Sequence, residues 1–140
     1  MAELVTAVDR LDEFLSWYGS LPWSPGSKVD CCLTLAEWAI WLSHADPAAH
    51  LRGTYDSDDG FRAIIAAYQG VVPLVASCLP SAAAPTASPR RGDIGVIGAR
   101  VNPLHQFGAI HDGRGWIVRQ KQGFGRMSAR TLAAWTITAK

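Results

Sequence analysis

Cys31 directly follows Asp30, and Asp30 opens the most apolar helical stretch of the chain. Aspartate is a good helix N-cap, because its carboxylate accepts bonds from backbone amides that have no partner in the first turn. A cysteine in that first turn feels those amides and the helix dipole, which favour thiolate over thiol. This is the local setting that nucleophilic thiol catalysis requires. Cys32 shares the turn, but the two side chains point about 100° apart around the helix axis, so only one faces a given cleft. Small cysteine side chains also serve as core filler, being among the most buried residue types. Position alone leaves both uses open.

A thiol nucleophile needs a base within reach. The chain has four histidines. His44 and His50 flank the exit of the cysteine helix and read as surface or capping residues. His111, just before Asp112-Gly113, reads as a surface turn residue. No metal is expected. The three cysteines include one adjacent pair, no Cys-x-x-Cys occurs, and no histidine stands at zinc-finger spacing from the pair. An odd cysteine count is also a poor disulfide framework. No cofactor is expected.

The elements that must position these residues follow from periodicity. Leu4, Val8, Leu11, Leu15 and Tyr18 form one stripe of an amphipathic helix that Gly19 and Pro22 end. A loop with Trp23, Pro25 and Gly26 leads to Asp30. Residues 31–42 are apolar almost all round, interrupted by Thr34 and Glu37, as in a helix buried mid-fold. Trp38 and Trp41 on it read as core. Asp46-Pro47 starts a short turn or helix through Leu51. Ser57 or Asp58 caps a third helix with Phe61, Ile64, Ile65 and Tyr68 on one face. Gly70 stops it, and a short amphipathic piece runs over 71–79.

Residues 80–89 contain three prolines and no large apolar side chain. They read as a low-complexity connector outside the core. Beyond it the pattern changes to strands: 94–97, 106–111, a turn at 112–115, a return strand over 116–119, a short helix from Ser128 through Ala134, and a last strand over 135–138. The expectation is one α+β domain spanning 1–140, with a helical half (1–79), a Pro/Ala linker (80–90) and a sheet half (91–140).

Hydrophobic residues make up 49% and charged residues 18%, enough apolar material for a core. The net charge of +1 gives no electrostatic case for nucleic acid or an acidic membrane. The first ten residues, with Glu3 and Asp9, lack the layout of a signal peptide, and no apolar run reaches the ~20 residues of a membrane helix. A soluble chain without membrane insertion is expected.

The order of these features resembles the papain-like cell-wall cysteine peptidases of the NlpC type. That family carries an aromatic-rich loop, Asp-Cys-Ser-Gly at the start of a buried helix, a Gly-Asp-hydrophobic strand, and His-Val-Gly-Ile within a hairpin. Here Trp23 and Gly26 precede Asp30-Cys31-Cys32-Leu33, followed by Arg91-Gly92-Asp93-Ile94 and Gln106-Phe107-Gly108-Ala109-Ile110. A more specific run of matches is similar to a group of small phage and prophage tail-region proteins. It comprises Asp30-Cys31-Cys32, Asp46-Pro47-Ala48-Ala49-His50-Leu51-Arg52-Gly53-Thr54-Tyr55, Arg91-Gly92-Asp93 and Ala134-Trp135-Thr136-Ile137.

The resemblance implies an NlpC-type fold, with the cysteine helix packed on a small antiparallel sheet and Cys31 at the nucleophile position. It also implies a tail-tip component of a phage or prophage, made in a bacterial cytoplasm and carried in the virion. Its partners would be hub and other tail-tip proteins, and peptidoglycan where the chain is enzymatic. In that enzymatic form, Cys31 attacks a stem-peptide amide, His105 is the base and Asp30 caps the helix, assisting cell-wall penetration during genome delivery. The rival form is a catalytically inactive structural subunit docked on hub proteins. A cytoplasmic thiol enzyme unrelated to phage leaves the second set of matches unexplained.

The family's catalytic histidine, aligned through Gly108, falls on Gln106, which cannot take a thiol proton at neutral pH. In a regular strand Gln106 shares a face with Gly108 and Ile110, while His105 shares the other with Phe107, Ala109 and His111. Gln106 is therefore expected to face the thiol. His105 reaches it only through a bulge or a one-residue shift near Asn102-Pro103. Arg119 and Gln120, the polar residues of the return strand, are expected at a solvated strand end. Arg52 to Tyr55 is expected either to brace the loop or to meet a neighbouring subunit.

Overall fold

The computed structural model describes residues 2–140, and the side chains of residues 10–140. Four helices come first: α1 (Ala2–Ser20), α2 (Leu33–Trp41), α3 (Asp58–Tyr68) and α4 (Val71–Cys78). Six strands follow: β1 (Ala84–Pro85), β2 (Ile94–Gly98), β3 (Gln106–His111), β4 (Trp116–Gln120), β5 (Gly123–Arg126) and β6 (Thr131–Thr136). The strands form one antiparallel sheet in the order β1-β6-β2-β3-β4-β5. The architecture is α+β.

Strand alternation sorts the sheet's side chains into two clusters. Ile94, Val96, Ile110, Ile117 and Trp135 join the helices in the main core. Ile97, Ala109, Trp116, Val118 and Ala134 form a second cluster on the other face, where Phe107, Cys31, Met127 and Ala129 pack against it. From the helices, Leu11, Phe14, Tyr18, Trp38, Ile65 and Val71 enter the main core. Leu11 and Tyr18 hold the places the stripe assigns them, Leu15 is half-buried, and Phe14 takes the centre. Leu4 and Val8 lie outside the residues whose side chains are described.

Four expectations change. Residues 128–134 do not form a helix: 131–136 is β6, because its backbone pairs with β2 on one side and β1 on the other. A helix over 128–134 would leave most of its amides and carbonyls without internal partners, because the first four N–H and last four C=O groups of any helix are unpaired. The connector over 80–89 is not outside the fold. Ala84 pairs with Thr136, Thr86 N donates to Ala134 O at 3.0 Å, and Ala83 packs on the core. Pro85 fits there because an edge strand needs no donor on its outer side. β5 went unread because its Gly-Phe-Gly-Arg lacks a strand-type apolar pattern. Finally, Arg119 is fully buried, not solvated. Its Nε donates to Tyr18 O at 3.2 Å, and its other nitrogens donate to Leu21 O and Gln120 O. It thereby serves the orphan carbonyls at the end of α1.

Among the described residues no single helix is long and apolar enough to cross a membrane. The α3–α4 pair passes that test only with a 78° bend between them, and Ile65, Val71, Leu74 and Val75 are buried in the fold.

Candidate functional site

Asp30 sits at the start of α2 with a buried carboxylate. One oxygen accepts the Leu33 amide at 2.7 Å. The other accepts the Gly26 amide at 2.9 Å and the Tyr55 hydroxyl at 2.5 Å. Thr34 Oγ1 adds a bond to Asp30 O at 2.8 Å. The helix α2 nevertheless begins only at Leu33, with Cys32 at its N-cap position and no side-chain capping bond, so it starts later than the sequence suggests and both cysteines precede it. Cys31 and Cys32 form the turn between Asp30 and the first residue of α2.

That turn lies against β3 at Gly108. A Cβ there would stand 2.7 Å from Cys31 O, 3.1 Å from Cys32 Cα and 3.2 Å from Leu35 Cδ1. Only a glycine lets the strand approach this closely. The two thiols then part. Cys31 is half-buried and packs toward the Phe107 side. Cys32 turns inward onto a narrow apolar cavity of about 50 Å³, where it meets Leu35, Tyr55 and Leu74. The hydrogen bond with the Cys31 thiol, burial and the charges of Cys31 and Asp30 hold the Cys32 thiol well above the ordinary range. A Gly108 backbone bond opposes them and is outweighed. The Cys32 thiol is therefore held in its protonated form, while by exposure both cysteines are half-buried.

The expected base is elsewhere. His105 is exposed in a 3-10 turn over 103–105, where Asn102 Nδ2 meets its Nδ1 at 3.3 Å. It is not on the strand, so the alternation argument does not apply to it. Gln106 does occupy the face of Gly108 and Ile110, but its amide is taken up by the loop between β2 and β3. Its Nε2 donates to Ala99 O at 2.9 Å and Arg100 O at 3.3 Å. The other histidines are also occupied. His44 Nε2 donates to Thr138 O at 2.6 Å, and His111 Nδ1 accepts from Gly113 N at 3.1 Å. His50 Nε2 lies 3.8 Å from Cys78 Sγ. Among the described residues no histidine ring bonds Cys31 or Cys32, and no group of three or more His, Cys, Asp or Glu is placed to hold a metal ion.

The 46–55 segment acts as a clamp on α2. Arg52 binds Asp46 Oδ2 at 2.7 Å, Glu37 Oε2 at 2.6 Å and Ser27 O at 2.9 Å. Burial alone would raise the Asp46 carboxyl, but the Arg52 bonds and the Ala48 amide outweigh it and hold the group below its usual value. Glu37 is the one charged residue on an otherwise uncharged, buried helix, and that misfit is the feature of the sequence that calls for a cationic partner. Of the two roles open to Arg52–Tyr55, bracing is the one the bonds of Arg52 and Tyr55 perform. On the far side of α2, Trp38 Nε1 donates to Gly92 O at 2.9 Å, while Asp93 Oδ2 accepts from Arg90 N at 2.8 Å. Arg91-Gly92-Asp93 is thus a turn tied to the cysteine helix.

A family model described as a domain of unknown function, DUF6950, matches residues 5–137. The chain belongs to that family. No curated protein and no solved structure matches it.

Proposed function

We propose that this DUF6950 chain is a phage or prophage tail-tip component built on an NlpC-like, papain-like scaffold, acting as a structural and interaction subunit docked on hub proteins in the virion. The scaffold assignment is supported by the first turn of the cysteine helix lying on a central antiparallel strand at Gly108. The tail assignment is supported by the match of Asp30-Cys31-Cys32 and Asp46 to Tyr55 to the tail-region proteins. In the fold these two motifs bond to each other, through Tyr55 to Asp30 and through Arg52 to α2. One observation carries the inactive reading: all four histidine rings are engaged away from the two thiols, so Cys31 has no base.

The peptidase reading keeps one favourable observation, the half-buried Cys31 in the turn that the Asp30 carboxylate ties to the start of α2. In that reading His105 leaves its turn to reach the sulfur, and Cys31 attacks a stem-peptide amide. The deciding measurement is hydrolysis of purified peptidoglycan by the protein beside its Cys31→Ala and His105→Ala variants, with immunodetection of the chain in purified tails. The expected result is no turnover by any form and presence in the tail. Turnover that both substitutions abolish overturns the inactive reading, and absence from tails overturns the tail assignment.

A further inference from the structure

Among the described residues three large apolar side chains are exposed: Ile40 (38%), Val101 (90%) and Leu104 (50%). Two of the three stand on the loop joining β2 to β3. That loop is held in one shape from inside. Gln106 Nε2 donates to the carbonyls of Ala99 and Arg100, and Ala99 N donates to His105 O at 2.9 Å. Asn102 Oδ1 accepts the Leu104 amide at 3.1 Å. At the loop's base Gly98 takes φ +133°, where a Cβ would lie 1.9 Å from His105 O. A loop so restrained loses little entropy on binding, yet it spends that order on presenting Val101 and Leu104 to water.

Beside it, between the loop and the α3–α4 turn, is a cleft of about 280 Å³. Val72, Pro73, Pro103 and Leu132 give it apolar walls, and Arg100 is the charged residue on its lining. Arg130 is exposed at the base of the loop, its carbonyl bonded to Gly98 N at 2.9 Å. Among the described residues neither arginine pairs with a carboxylate. The sheet half of the chain holds the surplus of positive charge, although Arg91 and Arg126 within it are paired with Asp12 and Asp112. Residues 91–140 carry eight Lys and Arg against two Asp, whereas residues 1–79 carry four against ten Asp and Glu.

We propose that this cleft and the loop beside it form a docking site for an acidic polypeptide segment of a partner protein. The segment inserts an apolar side chain beside Val101 and Leu104 and sets flanking carboxylates against Arg100 and Arg130. The unbalanced positive charge selects the carboxylates, and the apolar walls select a side chain over a phosphate backbone. The inference stands apart from the tail assignment and from the state of Cys31.

The test is fluorescence anisotropy with three labelled probes: Glu-Asp-Leu-Phe-Asp-Glu, its charge-reversed form Lys-Lys-Leu-Phe-Lys-Lys, and the anchorless Glu-Asp-Ser-Ser-Asp-Glu. Only the first is expected to bind. Val101→Ser with Leu104→Ser, or Arg100→Ser, should weaken it about tenfold. Added salt should weaken it further, and Ile40→Ser on α2 should leave it unchanged. Val101 is 90% exposed and Leu104 50%. Val101→Ser alone therefore removes almost no packing, and its weakened binding, with an unchanged melting curve, keeps the test valid should the double variant misfold. Silence with all three probes, equal binding of all three, or binding indifferent to the loop variants overturns the proposal. So does a silent acidic probe together with capture by phosphatidylglycerol vesicles, or with self-association in sedimentation.

Discussion

Replacing Gly108 by Ala tests the contact on which the candidate site is built. The new Cβ would stand 2.7 Å from Cys31 O and 3.1 Å from Cys32 Cα, both backbone atoms. Ordinary contact begins near 3.4 Å, so the turn must retreat by about 0.7 Å or the strand must bend. Retreat is resisted by the Asp30 carboxylate, whose bonds of 2.7 Å to Leu33 N and 2.9 Å to Gly26 N fix the same turn. Overpacking of this kind costs about 1–3 kcal/mol. Restricting the unfolded chain by removing a glycine returns about 0.4–1 kcal/mol. The net is a loss of about 1–2 kcal/mol, or roughly 3–8 °C in Tm for a domain of this length. The assay is urea and thermal denaturation of the variant beside Gly115→Ala, where the new Cβ meets only Arg126 Nη1, at 3.2 Å. That flexible side chain can move aside, so the control should stay within about 0.5 kcal/mol of the parent. Iodoacetamide labelling of Cys32 should also quicken in Gly108→Ala as the turn lifts from the strand. A Gly108→Ala protein as stable as the parent, with Cys32 equally protected, would refute the close approach of α2 and β3.

Arg52→Ala should destabilise by about 3–5 kcal/mol, because it leaves Glu37 buried without its cation. Adding Glu37→Gln should recover part of that loss by urea denaturation, and a further loss instead would show that Glu37 has another partner. Alkaline pH should unfold the protein earlier than its charge alone explains. Burial, with the Asp30 carboxylate nearby, holds the Tyr18 and Tyr55 phenols well above the ordinary tyrosine range, and Cys32 is held up as well. A pKa raised by folding gives stability that is complete below the unfolded value and is lost as pH rises past it. Stability should therefore be flat to about pH 8 and fall beyond about 8.5 for the thiol and 10 for the phenols. Each group contributes about 1.4 kcal/mol per pH unit to that fall. Tyr55→Phe should shallow the slope above about pH 10, and an unchanged slope would mean that Tyr55 is not held neutral by the fold.

The amino-acid sequence by itself determined the elements whose signals are local. The α1 stripe, the Asp30 carboxylate bond to the first amide of α2, the apolar α2, the Ser57 cap of α3 and the strand over 106–111 are all set by residues within a turn or two of each other. Local spacing also put Gln106 on the face of Gly108. It could not decide partnerships between distant residues. β6 is a strand because β1 and β2 lie on either side of it, though the run from Ser128 to Ala134 suits a short helix by local criteria. Arg119 is buried because the end of α1 brings the Tyr18 and Leu21 carbonyls to it from about a hundred residues away in sequence. The fate of the two thiols was of the same kind. Tertiary packing turned Cys32 into an apolar cavity, left Cys31 at the sheet, and gave each histidine another partner. The physical reason is that caps and periodicity act over one helical turn. A thiol's base, a carboxylate's cation and a strand's neighbours are fixed only when the whole chain has packed.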